Sequence, residues 1–502
     1  MDTFITSFSL FFQLPVFLAT FFGVALGVVL GSIPGLTATM AIALIVPMTF
    51  SLSPIVSIGM LIGAYKGGCF GGSIPAILLN TPGTPAAAAT SLDGHQLAKK
   101  GKGFKALRVA LFSSVLADSF SDIVLILVAP PLALIALKMG PPEMTGLVVF
   151  SLLIITAVAG KSLTKGLIAG VLGLMVGIIG LDPIMASRRF GFGFTQLDEG
   201  ISLMPMLIGL FALSEFFINI EKTRKKKKAR LFEITTDVKQ ARLSGAEKIA
   251  CGKIIGLASC IGTILGAIPG IGPSIAAFAS YAQAKKLSKN PEEFGHGAIE
   301  GVAAAEAGNN AVAGANLIPL LTLGIPGDVG AALLLGAFMI QGLHPGPLLF
   351  QNNLDIIYAI FMSLLLANFF NFLIGRQYIK IASKVANIPT HYIFPAVLAF
   401  CLVGSYGFNQ SLFDVWMALL FGTFGYILRK NGFPVAPLLI AFILEPILET
   451  SFRQSLLMSQ GSPLIFFTHP ISCAFLVLSI VGIFITIRSK KKHGKMHLVE
   501  EG

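Results

Sequence analysis

The chain has 502 residues, 55% of them hydrophobic and only 12% charged, about half the charged share of an ordinary soluble protein, which is roughly 25%. Too few polar groups are present to cover its apolar surface, so a soluble enzyme, a disulfide-rich secreted scaffold and a disordered chain are all excluded. The net charge of +12 points to nucleic acid or to membrane topology, and its position along the chain decides which.

The first thirty residues hold no Lys or Arg. They lack the basic start of a cleaved signal and are expected to form the first membrane span. Gly23, Gly27 and Gly31 recur at helical spacing and predict close helix packing. Long apolar runs follow to about residue 220, interrupted at Pro34-Gly35 and Pro82-Gly83 and by a basic loop from Lys99 to Arg108. At ~20 residues per span, the composition allows about 12 transmembrane helices. Asp118 and Asp122 form an acidic pair on one of these runs, read as a polar network. Gly160-Lys161-Ser162 resembles the end of a phosphate loop, but Ile155 stands where the first glycine belongs, so direct use of ATP is not expected.

Residues 222–230 carry seven basic side chains and Arg488–Lys495 five, which together equal the net charge. Clusters beside spans mark the cytoplasmic face, and with no folded basic domain around them a nucleic-acid partner is excluded. The tail histidines, His493 and His497, have no further ligand nearby. The five cysteines are scattered in apolar sequence and read as small packing residues in a reduced protein. The expected organisation is a first transmembrane repeat at 1–220 and a basic cytoplasmic linker at 221–248. A second, inverted repeat at 249–455, an extra C-terminal helix at 456–487 and a basic cytoplasmic tail at 488–502 complete it.

Internal repetition supports that division. The pattern G-x-x-L-G-x-I-P-G occupies 27–35 and again 262–270. Ile74-Pro75, Leu79, Pro82-Gly83 and Ala87-Ala88 recur as Ile318-Pro319, Leu323, Pro326-Gly327 and Ala331-Ala332. Pro205 to Ile208 recurs as Pro437 to Ile440. The loop charges swap between halves. The basic segment after Pro82-Gly83 has an uncharged counterpart near 337–353, and the charged segment Lys285–Glu293 corresponds to neutral Ser51–Pro54. Under the positive-inside rule the halves face opposite ways, with the N-terminus periplasmic and the C-terminus cytoplasmic. The fold class expected is an all-α polytopic membrane protein of two inverted repeats with broken helices or re-entrant hairpins.

Pro-Gly breaks at 34–35, 82–83, 269–270 and 326–327 free backbone groups that cost several kcal/mol each in hydrocarbon unless protein or a wet cavity satisfies them. Broken helices turn amide ends toward anions and carbonyl ends toward cations. Polar residues gather around the breaks: Lys66, Ser73, Asn80, Thr81, Thr84 and Thr90 in the first half, and Glu300, Glu306, Asn309, Asn310, Asn316, Thr322 and Asp328 in the second. Lys66 reads either as the partner of a carboxylate ligand or as an interfacial lysine. Glu306 reads either as a ligand of a coupling cation or as a partner of Lys66. No catalytic dyad or metal constellation is present, so no enzyme, cofactor or metal site is expected beyond a Na⁺ coupling ion.

The segments 31–50, 71–101, 266–327 and 342–350 together resemble the large membrane subunit (A subunit) of tripartite tricarboxylate transporters. The resemblance covers nearly the whole chain. It implies a permease of the bacterial inner membrane importing tricarboxylates or related carboxylates on a Na⁺ or H⁺ gradient. The implied partners are a small four-span membrane subunit and a periplasmic solute-binding protein that delivers substrate. It also implies that Asn80–Thr84 and Thr322–Gly327 form facing halves of the substrate site. The expected substrate-binding set is therefore Lys66, Ser73, Asn80, Thr81, Gly83, Thr84, Thr322, Gly324, Gly327 and Asp328, with Glu306, Asn309 and Asn310 for the coupling ion. The family pattern Y-x-G-x-Y-G-G-S reads here as Tyr65 to Ser73 with Lys66 and Phe70 as departures, which leaves the carried acid open. The alternatives are a stand-alone organic-anion transporter or a passive anion channel.

Overall fold

A computed structural model describes residues 2–158, 162–223, 243–382 and 390–500. Lys161, the side chains of the basic run 222–230 and those of the tail after Arg488, including His493 and His497, lie outside the description. The first half comprises α1 (Asp2–Phe11), α2 (Leu14–Gly31), α3 (Ala38–Ile45), α4 (Pro54–Gly71), α5 (Ser73–Leu79), α6 (Ala87–Lys99), α7 (Gly103–Ala136), α8 (Pro141–Val158), α9 (Leu163–Gly177), α10 (Leu203–Leu207) and α11 (Ser214–Thr223). A π-helical turn, Ile208–Leu213, joins the last two. The second half begins with α12 (Gly245–Gly266), α13 (Gly272–Leu287), α14 (Ile299–Ala315), α15 (Leu317–Leu323), α16 (Val329–Ile340), α17 (Leu349–Asn352) and α18 (Leu354–Tyr378). Helices Thr390–Asn409, Leu412–Lys430, Val435–Met458, Ile465–Thr468 and Pro470–Glu500 complete it.

The architecture is all-α and polytopic. Among the described residues, 8 helices are long and apolar enough to cross a membrane, and six shorter apolar helices accompany them. Ala38–Thr49 and Val329–Ile340 are among the shorter set, because each starts just after a Pro-Gly break that cuts a longer apolar run into two. The last helix does not stop at 487 but continues to Glu500. The helix Val435–Met458 likewise runs through the boundary expected at 455.

The glycines of α2 work as a packing face. A Cβ at Gly23 would stand 2.0 Å from the Met60 carbonyl oxygen, and one at Gly27 2.4 Å from that of Ala64. Gly63, Gly67 and Gly71 of α4 present equally bare backbone to α2, so the two helices touch main chain to main chain. The same device returns 235 residues later. Gly262 and Gly266 of α12 lie against Gly308, Ala311 and Val312 of α14. Both α4 and α14 are almost wholly buried and form the centre of the molecule. Their continuations, α5 and α15, end alike in a left-handed residue, Asn80 at φ 52° and Gly324 at φ 72°. Past that residue Thr81 N donates to Pro75 O, and Ile325 N to Pro319 O, each at 3.2 Å. Proline puts the break there by removing the amide that would continue the helix.

Among the bonds that join the halves, two tie the ends of α6 and α16 to loops of the other half. Gln341 Nε2 donates to Thr49 O at 3.0 Å, and Lys100 Nζ to His296 O at 2.7 Å. Near the second tie, Asp93 Oδ1 accepts the backbone amides of Gly295, Gly297 and Ala298 at 2.8–2.9 Å, and Oδ2 accepts Tyr281 OH. All five cysteines are free; Cys69, Cys251 and Cys401 are buried as expected, whereas Cys260 is exposed. Among the described residues one small sheet, strands β1 (Gly180–Leu181) and β2 (Arg188–Arg189), sits in the 178–200 loop. Arg189 holds Glu449 with both guanidinium ends at 2.9 and 3.0 Å, and Arg453 holds Asp182 at 2.8 Å. Asp182 keeps its carboxyl well below the usual range, chiefly because the Met185 amide donates to it, with Arg453 and the Ile184 amide adding to the effect.

Candidate functional site

The four breaks converge. Gly83 N donates to Gly72 O at 3.1 Å, a Cβ on Gly83 would meet Gly31 O at 2.8 Å, and Gly270 N donates to Gly327 O at 2.8 Å. Where they meet is a cavity of about 720 Å³. Its wall includes the starts of four helices: Thr37 and Ala38 at α3, Pro85 and Ala86 at α6, Gly272 and Pro273 at α13, and Asp328 and Val329 at α16. A helix start leaves amides without intrahelical partners and carries roughly half a positive charge. Four of them aimed at one space make a field that favours an anion. Thr37 caps α3 by accepting Met40 N at 3.1 Å. Thr39, Thr84 and Ser274 add hydroxyls to the wall.

Three formally charged residues line this cavity: Arg429, Glu215 and Asp328. The Arg429 guanidinium is hydrogen-bonded to Glu215, donates to Leu210 O at 3.3 Å and lies 5.6 Å from the Phe211 ring centroid. Leu210 lies in the π-helical turn, a geometry that disrupts the regular helical ladder and recurs at functional sites. The Arg429 Nε is buried with no hydrogen-bond partner, and the residue lines the cavity. Asp328 caps α16, accepting Ala331 N at 2.8 Å on one oxygen and Tyr65 OH at 3.1 Å on the other.

Of the residues expected to bind substrate, Gly83, Thr84, Gly327 and Asp328 line the cavity, and Asn309 of the coupling-ion set joins them. The others serve elsewhere. Lys66 is neither interfacial nor in the cavity wall. Buried to 1% exposure, its Nζ donates to Asp118 at 2.8 Å, Asp122 at 2.6 Å and Asn368 at 3.2 Å. Its charge is therefore taken up by two aspartates of α7. Nor does Lys66 pair with Glu306, which accepts from Ser73 (2.6 Å), Thr90, Ser114 (2.9 Å) and Asn310. Ser73 and Asn310 are thus committed to Glu306. Asn80 and Gly324 shape the turns, and Thr322 bonds back to Ile318 O at 2.7 Å. Thr81 lies in the turn outside the cavity wall. Glu300 holds Ser288 in the loop region at 2.7 Å.

Sequence reasoning missed Arg429, Glu215, Tyr65, Thr37, Thr39 and Ser274. A signal for these polar groups was present: each Pro-Gly break is followed within four residues by Thr, Ser or Asp, as at Thr37, Thr84, Ser274 and Asp328. Nothing in sequence spacing brings Arg429 to them. Residues 17–440 match the tripartite tricarboxylate transporter TctA family. The chain belongs to that family. As a TctA-family protein it is a multi-pass membrane transporter subunit and not an enzyme, and the tripartite character of the family implies partner subunits. It is 39% identical over 459 residues, 90% of either chain, to an uncharacterized 52.8 kDa protein in the TAR-I ttuC' 3' region of Agrobacterium vitis. It is 42% identical over 234 residues to an uncharacterized protein in the TAR-II ttuC' 3' region of the same organism, covering 46% of this chain and 97% of that one. No solved structure matches it significantly.

Proposed function

We propose that this chain is the membrane permease subunit of a tripartite, ion-gradient-coupled importer of tricarboxylates or related carboxylates, binding them in the cavity between the breaks. The observation that carries the reading is the convergence of four helix starts and one guanidinium on a single space. Thr37, Thr39, Thr84 and Ser274 supply hydroxyl donors, Gly83 and Gly327 let the breaks pack closely on Gly31 and Asn316, and Arg429 offers the cation that Lys66 does not. The Asp328 carboxylate stands in the same wall and repels an incoming anion, which Arg429 and the helix starts offset, and Asn309 lines the cavity as well.

The two halves act as inverted repeats, 1–220 and 249–455, joined by a cytoplasmic linker and followed by an extra C-terminal helix. The ties Gln341–Thr49 and Lys100–His296 support this reading, since each joins the outer end of a break-bearing arm to a loop of the opposite half. The site is the bacterial inner membrane, N-terminus periplasmic and C-terminus cytoplasmic, with a four-span subunit and a periplasmic solute-binding protein as partners. Reconstitution with those partners and labelled citrate tests the whole reading. Accumulation is expected only under an imposed Na⁺ or H⁺ gradient. Equal accumulation without a gradient sinks coupling, and unitary currents in planar bilayers mark a channel instead.

A further inference from the structure

We infer that Lys66, Asp118 and Asp122 form a proton-binding site, distinct from the substrate cavity, in which Asp118 takes up and releases the coupling proton. The inference rests on the carrier reading above and adds an identified ion and its seat.

The argument is one of charge balance. Asp118 and Asp122 are four residues apart on α7, which puts both carboxyls on one helix face. They share a single ammonium, Lys66, and all three side chains are at most 1% exposed. With both carboxyls ionised, the cluster carries one uncompensated negative charge in the middle of the protein, where such a charge is strongly disfavoured. One proton on a carboxyl oxygen restores neutrality.

Among the described residues, the neighbours supply no other countercharge. From α18, Asn368 accepts from Lys66 and donates to Asp122 at 2.7 Å. From α14 comes bare backbone, since a Cβ on Gly314 would stand 2.5 Å from Asp122 Oδ1. The next carboxylate on that helix, Glu306, is occupied by its own four donors. On α4, Cys69 lies one turn beyond Lys66, and on α7 Ser121 bonds back to Asp118 O. Asp118 Oδ2 and Asp122 Oδ1 are buried and have no partner.

The same geometry selects the residue and the ion. Asp122 Oδ2 holds two donors, Lys66 and Asn368, whereas Asp118 holds Lys66 alone. The less compensated carboxyl is Asp118, so the proton binds there. A metal ion does not fit, because the Lys66 ammonium already occupies the place between the two carboxylates and uses its three N–H groups on Asp118, Asp122 and Asn368. Binding forms one O–H bond on Asp118, and release to the opposite side breaks it, with no change of oxidation state.

The site is wired to the cavity through α4. Lys66 follows Tyr65, whose hydroxyl holds Asp328 in the cavity wall. Gaining or losing the proton therefore changes the pull on the helix that also positions Asp328.

Infrared pH-difference spectroscopy of the full chain in vesicles tests the site without any substrate. The parent protein is expected to show a titrating, D₂O-sensitive C=O band of a buried carboxylic acid. Asp118→Asn loses that band. Asp122→Asn loses it as well, because the remaining Lys66–Asp118 pair is already neutral. Lys66→Met gains a second band, since two carboxyls then lack any countercharge. Glu306→Gln and Asp328→Asn keep the Asp118 band. In proteoliposomes with the partner subunits and labelled citrate, Asp118→Asn keeps exchange but loses accumulation driven by a pH gradient. Spectra in which neither Asn variant loses a band present in the parent, or undiminished pH-driven accumulation in Asp118→Asn, overturn the inference and leave a purely structural ion cluster. Absence of citrate exchange and accumulation in the parent counts against the citrate-carrier reading, while the infrared result still decides the proton site.

Discussion

Arg429→Gln is the perturbation that bears most directly on how an anion is held. In the structure the Arg429 Nε is the unpartnered donor edge of a guanidinium whose other nitrogens hold Glu215 and Leu210 O. A carboxylate in the cavity that accepts from the guanidinium makes a charge-assisted hydrogen bond of about 1.5–3 kcal/mol, which at about 1.4 kcal/mol per tenfold is roughly a 10- to 150-fold change in affinity. The substitution also strips Glu215 of its partner. An uncompensated carboxylate roughly 6 Å from a bound anion, at an effective dielectric near 20, adds about 3 kcal/mol of repulsion. The expected outcome is a steep rise in the apparent KM for labelled citrate in proteoliposomes carrying the partner subunits. The double variant Arg429→Gln with Glu215→Gln removes the repulsion and recovers part of the loss, leaving the hydrogen-bond component. Arg429→Lys falls between, because an ammonium keeps the charge without the planar fork. Thermal melting of each variant checks that the fold persists. An Arg429→Gln protein with KM within about twofold of the parent, or a double variant worse than the single, refutes the assignment.

Asp93→Ala removes the acceptor of three backbone amides and of Tyr281 at once. At about 1–3 kcal/mol for each buried donor left unsatisfied, this exceeds the effect of losing a single surface contact, and is read as a lower melting temperature with faster proteolysis in the 288–298 loop. Gly27→Leu drives a side chain into the Ala64 carbonyl, a backbone atom that cannot rotate away. Destabilisation of at least 1–3 kcal/mol is expected, measured by thermal melting in detergent, whereas Gly245→Ala, which meets nothing within 4 Å, leaves the melt unchanged. The depressed carboxyl of Asp182 sets the pH response of the 178–200 loop. Since the folded pKa lies below the unfolded one, its contribution is complete at neutral pH, begins to fall near the unfolded value of about 3.9, and vanishes only below the folded one. Hydrogen exchange of the Ile184 and Met185 amides should stay slow through mild acid, and Asp182→Asn should speed it at neutral pH.

Much of the fold was legible because membrane spans and their interruptions are local signals. Apolar length marks a span, and Pro-Gly in mid-run marks its break by removing a donor whatever the surroundings. The glycine face of α2 was likewise readable from spacing, since close helix approach requires the absence of a Cβ. Local signals did not reveal which polar residues face which neighbours. Lys66 was expected at a ligand or at the interface, whereas the structure buries it among partners from α7 and α18, 52, 56 and 302 residues away. Glu306 collects Ser73, Thr90 and Ser114 from three helices of the other half. Arg429 went unnoticed as the final-turn residue of a late helix.

The sequence by itself determined that the protein crosses a membrane many times, where its helices break and which segments repeat, because hydrophobic length, proline geometry and internal similarity are written along one dimension. Only the tertiary structure decided that four breaks share one cavity, that Arg429 lines it and that Lys66 is enclosed by two aspartates. Those are pairings between residues tens to hundreds of positions apart, fixed by helix packing in three dimensions. A buried charge is placed by whichever partner the packing brings to it.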